Sequence, residues 1–300
     1  MWVGRALRTT NTHHAGGSGQ TTKRSPHACG TRWYGRMLSC SCCSWSFQVI
    51  PYEQNPHWAD APFAHGFFGR LGGVSKPPYD SLNIGKSTND EGAHVHENRR
   101  LIAAALGISN IIHPGQVHGT DILDLSNQVP TEHVVADAVY NPPTSVGLAI
   151  QTADCMPVLF AHRNEAILAG AHAGWRGFAD GILEKMLVRF EQDGLKRRDI
   201  SVAIGPAIGP GAFEVGEEVV EAMPNICRGL CSFRHFQTGR WHVDLRQAAS
   251  IMLRHGGVQD IWASDSCTYT DKDRYFSHRH ATHHNGGITG RQVAIIGWPG

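Results

Sequence analysis

Apolar residues in the middle of the chain form short runs separated by polar turns, a pattern typical of buried strands. The runs cover residues 146–150, 156–160 and 166–170, and the second has its proline near the strand start, where a missing N–H is tolerated. We predict that the last two runs pair as an antiparallel hairpin, with Cys155 before its first strand and His172 after its second. Because those two ends are neighbours in a hairpin, the thiol and the imidazole are expected to lie together.

After His172 the apolar spacing changes to that of an amphipathic helix. This helix is predicted to begin near Gly177, so that Arg176 and several free backbone N–H groups face the site and could bind an anion. The remaining pattern predicts helices at residues 95–106, 215–223 and 245–254, and strands at residues 200–204, 261–263 and 293–296. This alternation predicts an α/β protein with a mixed sheet in one domain.

The composition is that of a globular enzyme, with 41% hydrophobic residues and a net charge of +1. The near-neutral charge gives no electrostatic reason to expect nucleic-acid or membrane partners, and no apolar run reaches the roughly 18–20 residues that span a bilayer. The cysteines lack the spacing of a disulfide framework, which favours a reducing compartment. We therefore expect a cytoplasmic enzyme of small molecules, either a monomer or a homodimer.

The first 52 residues contain no Asp or Glu, and carry five arginines and one lysine among many Ser, Thr and Gly. We expect residues 1–50 to be an unstructured N-terminal extension and residues 51–300 to form the enzyme domain. Three explanations of the extension stay open: translation that really begins at or after Met37, a disordered tail, or a targeting peptide.

Two imidazoles and one thiol lie beside small residues in three separate segments, at His118, Cys155 and His172. Zn²⁺ binds neutral imidazole nitrogen and thiolate sulfur, and a catalytic zinc keeps three protein ligands and one open position. The long separations fit ligands on different strands rather than a finger-type clip. Structural zinc sites usually have four protein ligands, and these segments offer no fourth, so a catalytic zinc is our interpretation.

The sequence around these ligands resembles the signature of a known family. Residues 118–121 (His-Gly-Thr-Asp), 152–158 (Thr-Ala-Asp-Cys-Met-Pro-Val) and 172–177 (His-Ala-Gly-Trp-Arg-Gly) are similar to motifs of the YfiH-like family. That family is also called the multicopper polyphenol oxidoreductase or laccase-domain family, and more recently purine nucleoside phosphorylase. Further similar segments follow in the family's order at residues 65–75, 81–83, 97–99, 204–210 and 267–269.

The resemblance implies a fold, a metal and an activity. The implied fold is a single-domain αββα-type sandwich with mixed sheets, and the implied metal is zinc, bound by the residues that match His118, Cys155 and His172. The implied activity is phosphorolysis of adenosine, inosine and methylthioadenosine, with adenosine deamination as a side activity. Purine nucleosides and phosphate are then the partners that we expect.

Five further residues are candidates for the same site. Arg176 and Arg70 lie beside glycine-rich turns and are predicted to hold phosphate or substrate, although either could form an ordinary surface ion pair. Ser75 and Asn83 are predicted to contact substrate, with turn capping as the alternative. Asp154 precedes the thiol ligand, and two roles stay open for it: supporting the metal ligands, or carrying a proton.

Two other enzyme classes use the same residues. Cys155 as a nucleophile with His172 as its base would make a cysteine-dependent hydrolase, but the sequence offers no clear acid to orient His172. Copper in place of zinc would make a polyphenol oxidase, yet the cysteine lacks the flanking histidines of a multicopper centre. The His-x-His pairs at residues 94/96 and 278/280 are expected to be solvent-exposed, the second pair in a His-rich loop.

Overall fold

A computed structural model describes residues 50–300. The predicted extension lies outside the described residues, apart from Ile50, so the division of the chain at residue 50 stays a prediction. Between residues 50 and 300 no helix is long and apolar enough to cross a membrane.

The described residues alternate between strands and helices. The strands are β1 (Tyr52–Glu53), β2 (Ala64–Phe68), β3 (Asn110–Ile112), β4 (Ile122–Asp124), β5 (Ala138–Tyr140), β6 (Val146–Thr152), β7 (Met156–His162), β8 (Leu168–Ala173), β9 (Ile200–Ile204), β10 (Glu214–Val215), β11 (Ser232–Arg234), β12 (Trp241–Val243), β13 (Asp260–Ala263) and β14 (Gln292–Gly297). The helices are α1 (Gly92–Leu106), α2 (Trp175–Ala179), α3 (Ile182–Gln192), α4 (Glu217–Ala222), α5 (Asn225–Cys231), α6 (Leu245–His255) and α7 (His278–His284).

The strands form two large mixed sheets and one small antiparallel sheet. The five-stranded sheet has the order β1-β2-β14-β6-β3, in which only β3 and β6 are parallel. The six-stranded sheet has the order β13-β9-β7-β8-β5-β4, with parallel pairs at both edges. The small sheet, β10-β12-β11, is antiparallel.

The two large sheets pack face to face and are covered by helices on both outer sides. Because successive strand residues point to opposite faces, Ala294 and Ile296 of β14 enter the core between the sheets, whereas Val293 and Ile295 pack with α1. On the other side, α3 and α6 bury their apolar faces against the six-stranded sheet. The order of layers is helix, sheet, sheet, helix, which confirms the predicted αββα sandwich with mixed sheets.

Most predicted elements are present, but the segment after the hairpin differs. The predicted single helix begins at Trp175 and is divided in two, because Gly181 takes a left-handed φ of 86° that a helix interior does not allow. The strand predicted at residues 166–170 extends to Ala173 as β8, so His172 lies within the strand and not after it.

Of two other local predictions, one differs in its bounds and one is wrong. The helix predicted at residues 215–223 is present as α4, but it begins after Gly216, because Val215 belongs to the short strand β10. The His-rich segment predicted as a loop is helix α7, because the Ser277 hydroxyl accepts a hydrogen bond from the His280 N–H and caps the first turn.

The buried His65 of β2 makes the stability of the fold sensitive to acid. Its Nε2 accepts a 3.0 Å hydrogen bond from the Asn55 N–H, and burial lowers the pKa of His65 to about 4. In the unfolded chain His65 is protonated below its ordinary pKa of about 6.5, whereas in the folded chain it stays neutral down to about pH 4. Stability from this group is therefore present above about pH 6.5 and is lost as the pH falls toward about 4.

We expect His65→Gln, which keeps an acceptor near the Nε2 position, to remove this part of the pH dependence. Between about pH 7 and pH 5 the wild-type free energy of unfolding should fall by about 2 kcal/mol more than that of the variant. Urea denaturation at both pH values measures this difference. Equal losses in the two proteins would contradict the assignment to His65.

Candidate functional site

The structure brings together three side chains that are far apart in sequence. The ligand atoms of His118, Cys155 and His172 all lie within 4.8 Å of one another, and the two imidazole centroids are 4.8 Å apart. Among residues 50–300 this is the one group of three or more His, Cys, Asp or Glu side chains that could hold a metal ion. The arrangement agrees with the predicted metal-ligand set.

The hairpin of β7 and β8 explains two of the three positions. Met156 pairs with Ala173 in the antiparallel register, so Cys155 lies across from Gly174 at the open end of the hairpin. His172 lies one residue before Ala173, near the end of β8. His118 approaches from the loop between β3 and β4, where it takes a left-handed φ of 63°. Such a φ is unfavourable for a residue with a side chain and is concentrated at functional sites.

Gly174 leaves room for the three donors to meet. A Cβ at this position would lie 2.7 Å from His118 Nδ1 and 3.1 Å from Cys155 Sγ. Any side chain larger than hydrogen would therefore push two of the donor atoms apart. Here the glycine is required for close approach.

Asp137, which precedes β5, organises the site and was missed by the sequence analysis. Its Oδ1 lies 2.8 Å from His172 Nδ1 and is buried with it. The carboxylate also accepts hydrogen bonds from the backbone N–H groups of Val117, His118 and Gly119, at 3.1, 2.9 and 2.7 Å. One side chain thus orients one candidate ligand directly and holds the loop that carries another.

Asp137 is therefore the orienting acid for His172 that the sequence was predicted to lack. A signal was present, since Asp137 is a lone acid within the apolar run of residues 134–140. A charged residue in a buried strand needs partners to offset its desolvation, which marks it as a candidate. The sequence did not indicate which histidine it would face.

Without a metal, the electrostatics of the cluster favour a thiolate at Cys155 and a protonated imidazole at His172. Burial alone would raise the pKa of the Cys155 thiol, but the neighbouring His172 and His118 lower it to about 6. Burial likewise opposes a charge on His172, but Cys155 and Asp137 raise its pKa to about 9. Burial opposes ionisation of Asp137 too, yet the hydrogen bonds from His172 and the loop hold its pKa below the ordinary range. Without a metal, a thiolate is thus stabilised beside a proton-bearing imidazole.

The cluster opens into a cavity of about 800 Å³, which we call the site pocket. Its volume is within the usual range of about 300–1,000 Å³ for small-molecule sites. Four cationic residues line it besides the three candidate ligands, and Asp154 is the acid in the lining. The cationic residues are Lys86, Arg99, Arg279 and Arg291.

Asp154 is buried, and both of its carboxylate oxygens accept hydrogen bonds. Its Oδ1 accepts a 2.6 Å hydrogen bond from the Thr268 hydroxyl, and its Oδ2 accepts one of 2.6 Å from the Arg279 N–H in the first turn of α7. Its φ of 94° is strained for a residue with a side chain, and the next residue is Cys155. Asp154 thus joins the segment that carries the thiol to the start of α7.

Two predicted phosphate contacts lie outside the lining of the site pocket. Arg176 is exposed, and its guanidinium stacks over the ring of Trp175 at 4.3 Å. Arg70 forms a 3.0 Å ion pair with Asp80 and lies over the Phe276 ring at 4.8 Å. The structure does not bring either side chain to the metal-ligand cluster.

Ser75 and Asn83 belong to one buried hydrogen-bond network and do not line the site pocket either. Ser75 Oγ donates to Asp90 at 2.6 Å and accepts from the Asn98 amide at 2.8 Å. Asn83 Oδ1 accepts from the backbone N–H of Arg291, a lining residue, at 2.8 Å. Asn83 therefore contacts the site pocket through Arg291.

The His-x-His pairs are only partly exposed. His96 and His278 are exposed, whereas His94 and His280 are half-buried. His278 lines the site pocket, and the rings of His280 and His284 lie 4.4 Å apart on α7. The expectation of exposure is therefore wrong for one member of each pair, since each of these rings packs against a neighbouring side chain.

The fold and the cluster define a mixed α/β protein with a His-Cys-His centre in a cationic pocket. Residues 64–299 match the model of the family described as "Multi-copper polyphenol oxidoreductase laccase", and the chain belongs to this family. A protein named purine nucleoside phosphorylase YfiH from Escherichia coli (strain K12) is 42% identical over 229 residues, which cover 76% of this chain and 90% of that protein. Another, purine nucleoside phosphorylase YlmD from Geobacillus stearothermophilus, is 34% identical over 79% of this chain and 91% of its own length.

Solved structures show the same architecture. The crystal structure of YlmD from Geobacillus stearothermophilus superposes with a TM-score of 0.75 at 32% identity, over 84% of this chain and 96% of that one. A crystal structure of a Neisseria meningitidis protein gives a TM-score of 0.70 at 31% identity, over 80% of this chain and 96% of that one. The mixed-sheet fold is thus shared by proteins of this family.

Proposed function

We propose that this protein is a zinc-dependent purine nucleoside phosphorylase that acts on adenosine, inosine and methylthioadenosine, with adenosine deamination as a side activity. The observation that carries the proposal is the His118-Cys155-His172 cluster, which opens into a cationic pocket of about 800 Å³. The names of the relatives from Escherichia coli and Geobacillus stearothermophilus support the reaction class.

The donor set fits zinc in a catalytic site. Two imidazoles and one thiolate suit Zn²⁺, and the described residues supply no fourth ligand that would close the coordination shell. A bound zinc ion would supply a Lewis acid that polarises the purine or a sugar oxygen of the substrate. Copper also binds nitrogen and sulfur donors, so it is the alternative occupant of the same three residues.

The protein itself must bind the phosphate and orient the side chains for phosphorolysis. The reaction joins a phosphate oxygen to C1′, breaks the bond between C1′ and the purine nitrogen, and needs a proton or a polarising group for the departing purine. Cationic side chains of the site pocket would hold the phosphate, and Asp137 would keep His172 in one tautomer. For Asp154 we propose a positioning role, because both carboxylate oxygens already accept hydrogen bonds, with proton transfer as the alternative.

One observation favours a second candidate function. Asp137, His172 and Cys155 form an acid-base-thiol arrangement, in which the pKa of Cys155 is lowered to about 6. A cysteine-dependent hydrolase uses such an arrangement. His118 has no part in that chemistry, although it lies against both His172 and the thiol. For this reason we place the zinc enzyme first.

Metal analysis and an activity screen on the purified full chain separate these candidates. We expect release of free purine from adenosine, inosine and methylthioadenosine only when inorganic phosphate is present, and with zinc bound. Chelation should abolish this activity, and added zinc should restore it. A metal-free protein that is active without phosphate and is irreversibly inactivated by a thiol alkylator would instead support the cysteine hydrolase.

A further inference from the structure

Three half-buried arginines of the site pocket, Arg99, Arg279 and Arg291, form no salt bridge within residues 50–300, and two of them lie close to one turn of the chain. Arg99 donates through Nε and Nη2 to the carbonyl of Ile84, at 3.0 and 2.7 Å. Arg291 donates through Nη1 to the carbonyls of Thr289 and Gly290, at 3.2 and 3.0 Å. Neither guanidinium forms a salt bridge with a described residue, so both carry charge into the pocket; the charges of Cys155 and Asp154 act on Arg291 only from beyond salt-bridge distance.

Two arginines outside the site pocket show how a carboxylate can neutralise a guanidinium. Arg189 pairs with Asp124 and Asp193, each at 2.7 Å. Arg197 pairs with two glutamates in the same way. Arg99 and Arg291 have no such carboxylate, and both line the site pocket, where an anionic ligand could take its place.

Lys86 adds a third cation at the same place. It is exposed, and within the described part of the chain its ammonium has neither a hydrogen bond nor an ion pair. Together with Arg99 and His113 it lines the site pocket and also the two cavities beside it, so these residues mark the junction of all three. An anion at this junction would be reachable from solvent through more than one opening.

His113 offers a neutral hydrogen-bonding group to the same position. Its Nδ1 is buried and has no hydrogen-bond partner among residues 50–300. Burial, followed by the charges of Arg99 and Lys86, lowers the pKa of His113 to about 3. The ring is therefore neutral at physiological pH and can donate one hydrogen bond without adding charge.

We propose that Lys86, Arg99 and Arg291 form an anion subsite within the site pocket, and that its ligand is the inorganic phosphate dianion. The inference deepens the proposed function and rests on it for the identity of the ligand. Arginine suits phosphate because its planar fork can bind two oxygens, and the lysine adds a mobile point charge. The site pocket also holds the His118-Cys155-His172 cluster, so phosphate and the metal centre would act on one substrate.

One turn of the chain positions both arginines. The Ile84 carbonyl accepts both hydrogen bonds of Arg99, and the Ile84 N–H donates to the Arg291 carbonyl at 3.1 Å. Asn83 Oδ1 accepts from the Arg291 N–H, and Lys86 follows two residues after Ile84. Asn83, predicted as a substrate contact, is thus a positioning residue for the anion subsite.

Phosphate binding to the zinc-loaded full chain, measured by calorimetry or ³¹P NMR without nucleoside, tests the subsite directly. Lys86→Ala is the clean variant, because its side chain has no described contact whose loss could unfold the protein. We expect the phosphate Kd and the KM for phosphate to rise about tenfold, since a charge-assisted hydrogen bond is lost. The KM for nucleoside and the melting temperature should stay unchanged.

Arg291→Lys gives a second measure, since it keeps the charge and removes the planar fork. We expect a phosphate Kd raised by about tenfold here as well. The matched control for Lys86 is Lys196→Ala, an exposed lysine that lines neither the site pocket nor the two cavities beside it. Its phosphate Kd should equal that of the wild type.

The outcomes separate the anion subsite from the proposed function. Unchanged phosphate affinity in both variants, or a larger loss in Arg176→Ala, would overturn the subsite even if the wild type is a phosphorylase. If both variants bind phosphate more weakly but the wild-type protein shows no phosphorolysis, the subsite is supported and the proposed function is overturned. Weaker phosphate binding together with a raised KM for phosphate supports both.

Discussion

We expect the purified protein to contain about one zinc ion per chain, and His118→Ala, Cys155→Ala and His172→Ala each to lose it. Removing one of three ligands leaves a two-donor site that cannot compete for zinc at micromolar concentration. Nucleoside phosphorolysis should fall by at least about a hundredfold in each variant, because changes to residues that only support a metal ligand already cost about 10–100-fold. Elemental analysis after dialysis against a weak chelator, with activity measured on the same samples, checks both expectations.

Two variants serve as matched controls for this test. Cys267 is a partly exposed thiol outside the cluster, and His255 is exposed at the end of α6. Cys267→Ala and His255→Ala should keep the metal and the activity. Full zinc content in any of the three ligand variants would show that the metal binds elsewhere.

Asp137→Asn should weaken both the metal site and the fold. The amide keeps the size of the carboxylate but replaces one acceptor oxygen by a donor, which would face the N–H groups of Val117 and Gly119 or the ring of His172. We expect a metal affinity about 10–100-fold lower, as for other residues that support metal-bound histidines. The free energy of unfolding should fall by about 3 kcal/mol, the cost of a buried group left unsatisfied.

Chelator competition measures the first effect, and urea denaturation of the metal-free protein measures the second. Asp124→Asn is the control, since Asp124 also accepts backbone and side-chain hydrogen bonds but is half-exposed at a sheet edge. Its metal affinity should equal that of the wild type. An Asp137→Asn protein with unchanged metal affinity would remove Asp137 from the site.

The family description raises the possibility of multicopper chemistry, which the ligand geometry does not favour. Multicopper oxidation needs several metal centres that exchange electrons, whereas the described residues bring together a single three-ligand cluster. The closely spaced His280 and His284 contribute only two ring side chains on α7. A copper ion at the three-ligand cluster would therefore act alone.

The sequence by itself predicted the three side chains of the His118-Cys155-His172 cluster and the hairpin that holds two of them. The apolar runs of β7 and β8 predicted a hairpin, and the pairing of Met156 with Ala173 places Cys155 beside Gly174 as that hairpin requires. Apolar residues that repeat every 2 or 3.6 positions indicate which face of an element is buried. These patterns therefore located most strands of the two large sheets and most helices that cover them. They were less reliable at Gly181, where one residue with a left-handed φ ended a helix.

Only the tertiary structure decided which side chains surround the candidate ligands. Asp137, Arg99 and Arg291 come from separate elements, and nothing in their local sequence states that they meet at one pocket. Arg176 shows that closeness in sequence does not ensure closeness in space. It is four residues from His172, yet its exposed side chain stacks on Trp175 and lies outside the site pocket. Sequence patterns encode which face of an element is buried, whereas the partners across a pocket follow from how sheets and loops pack.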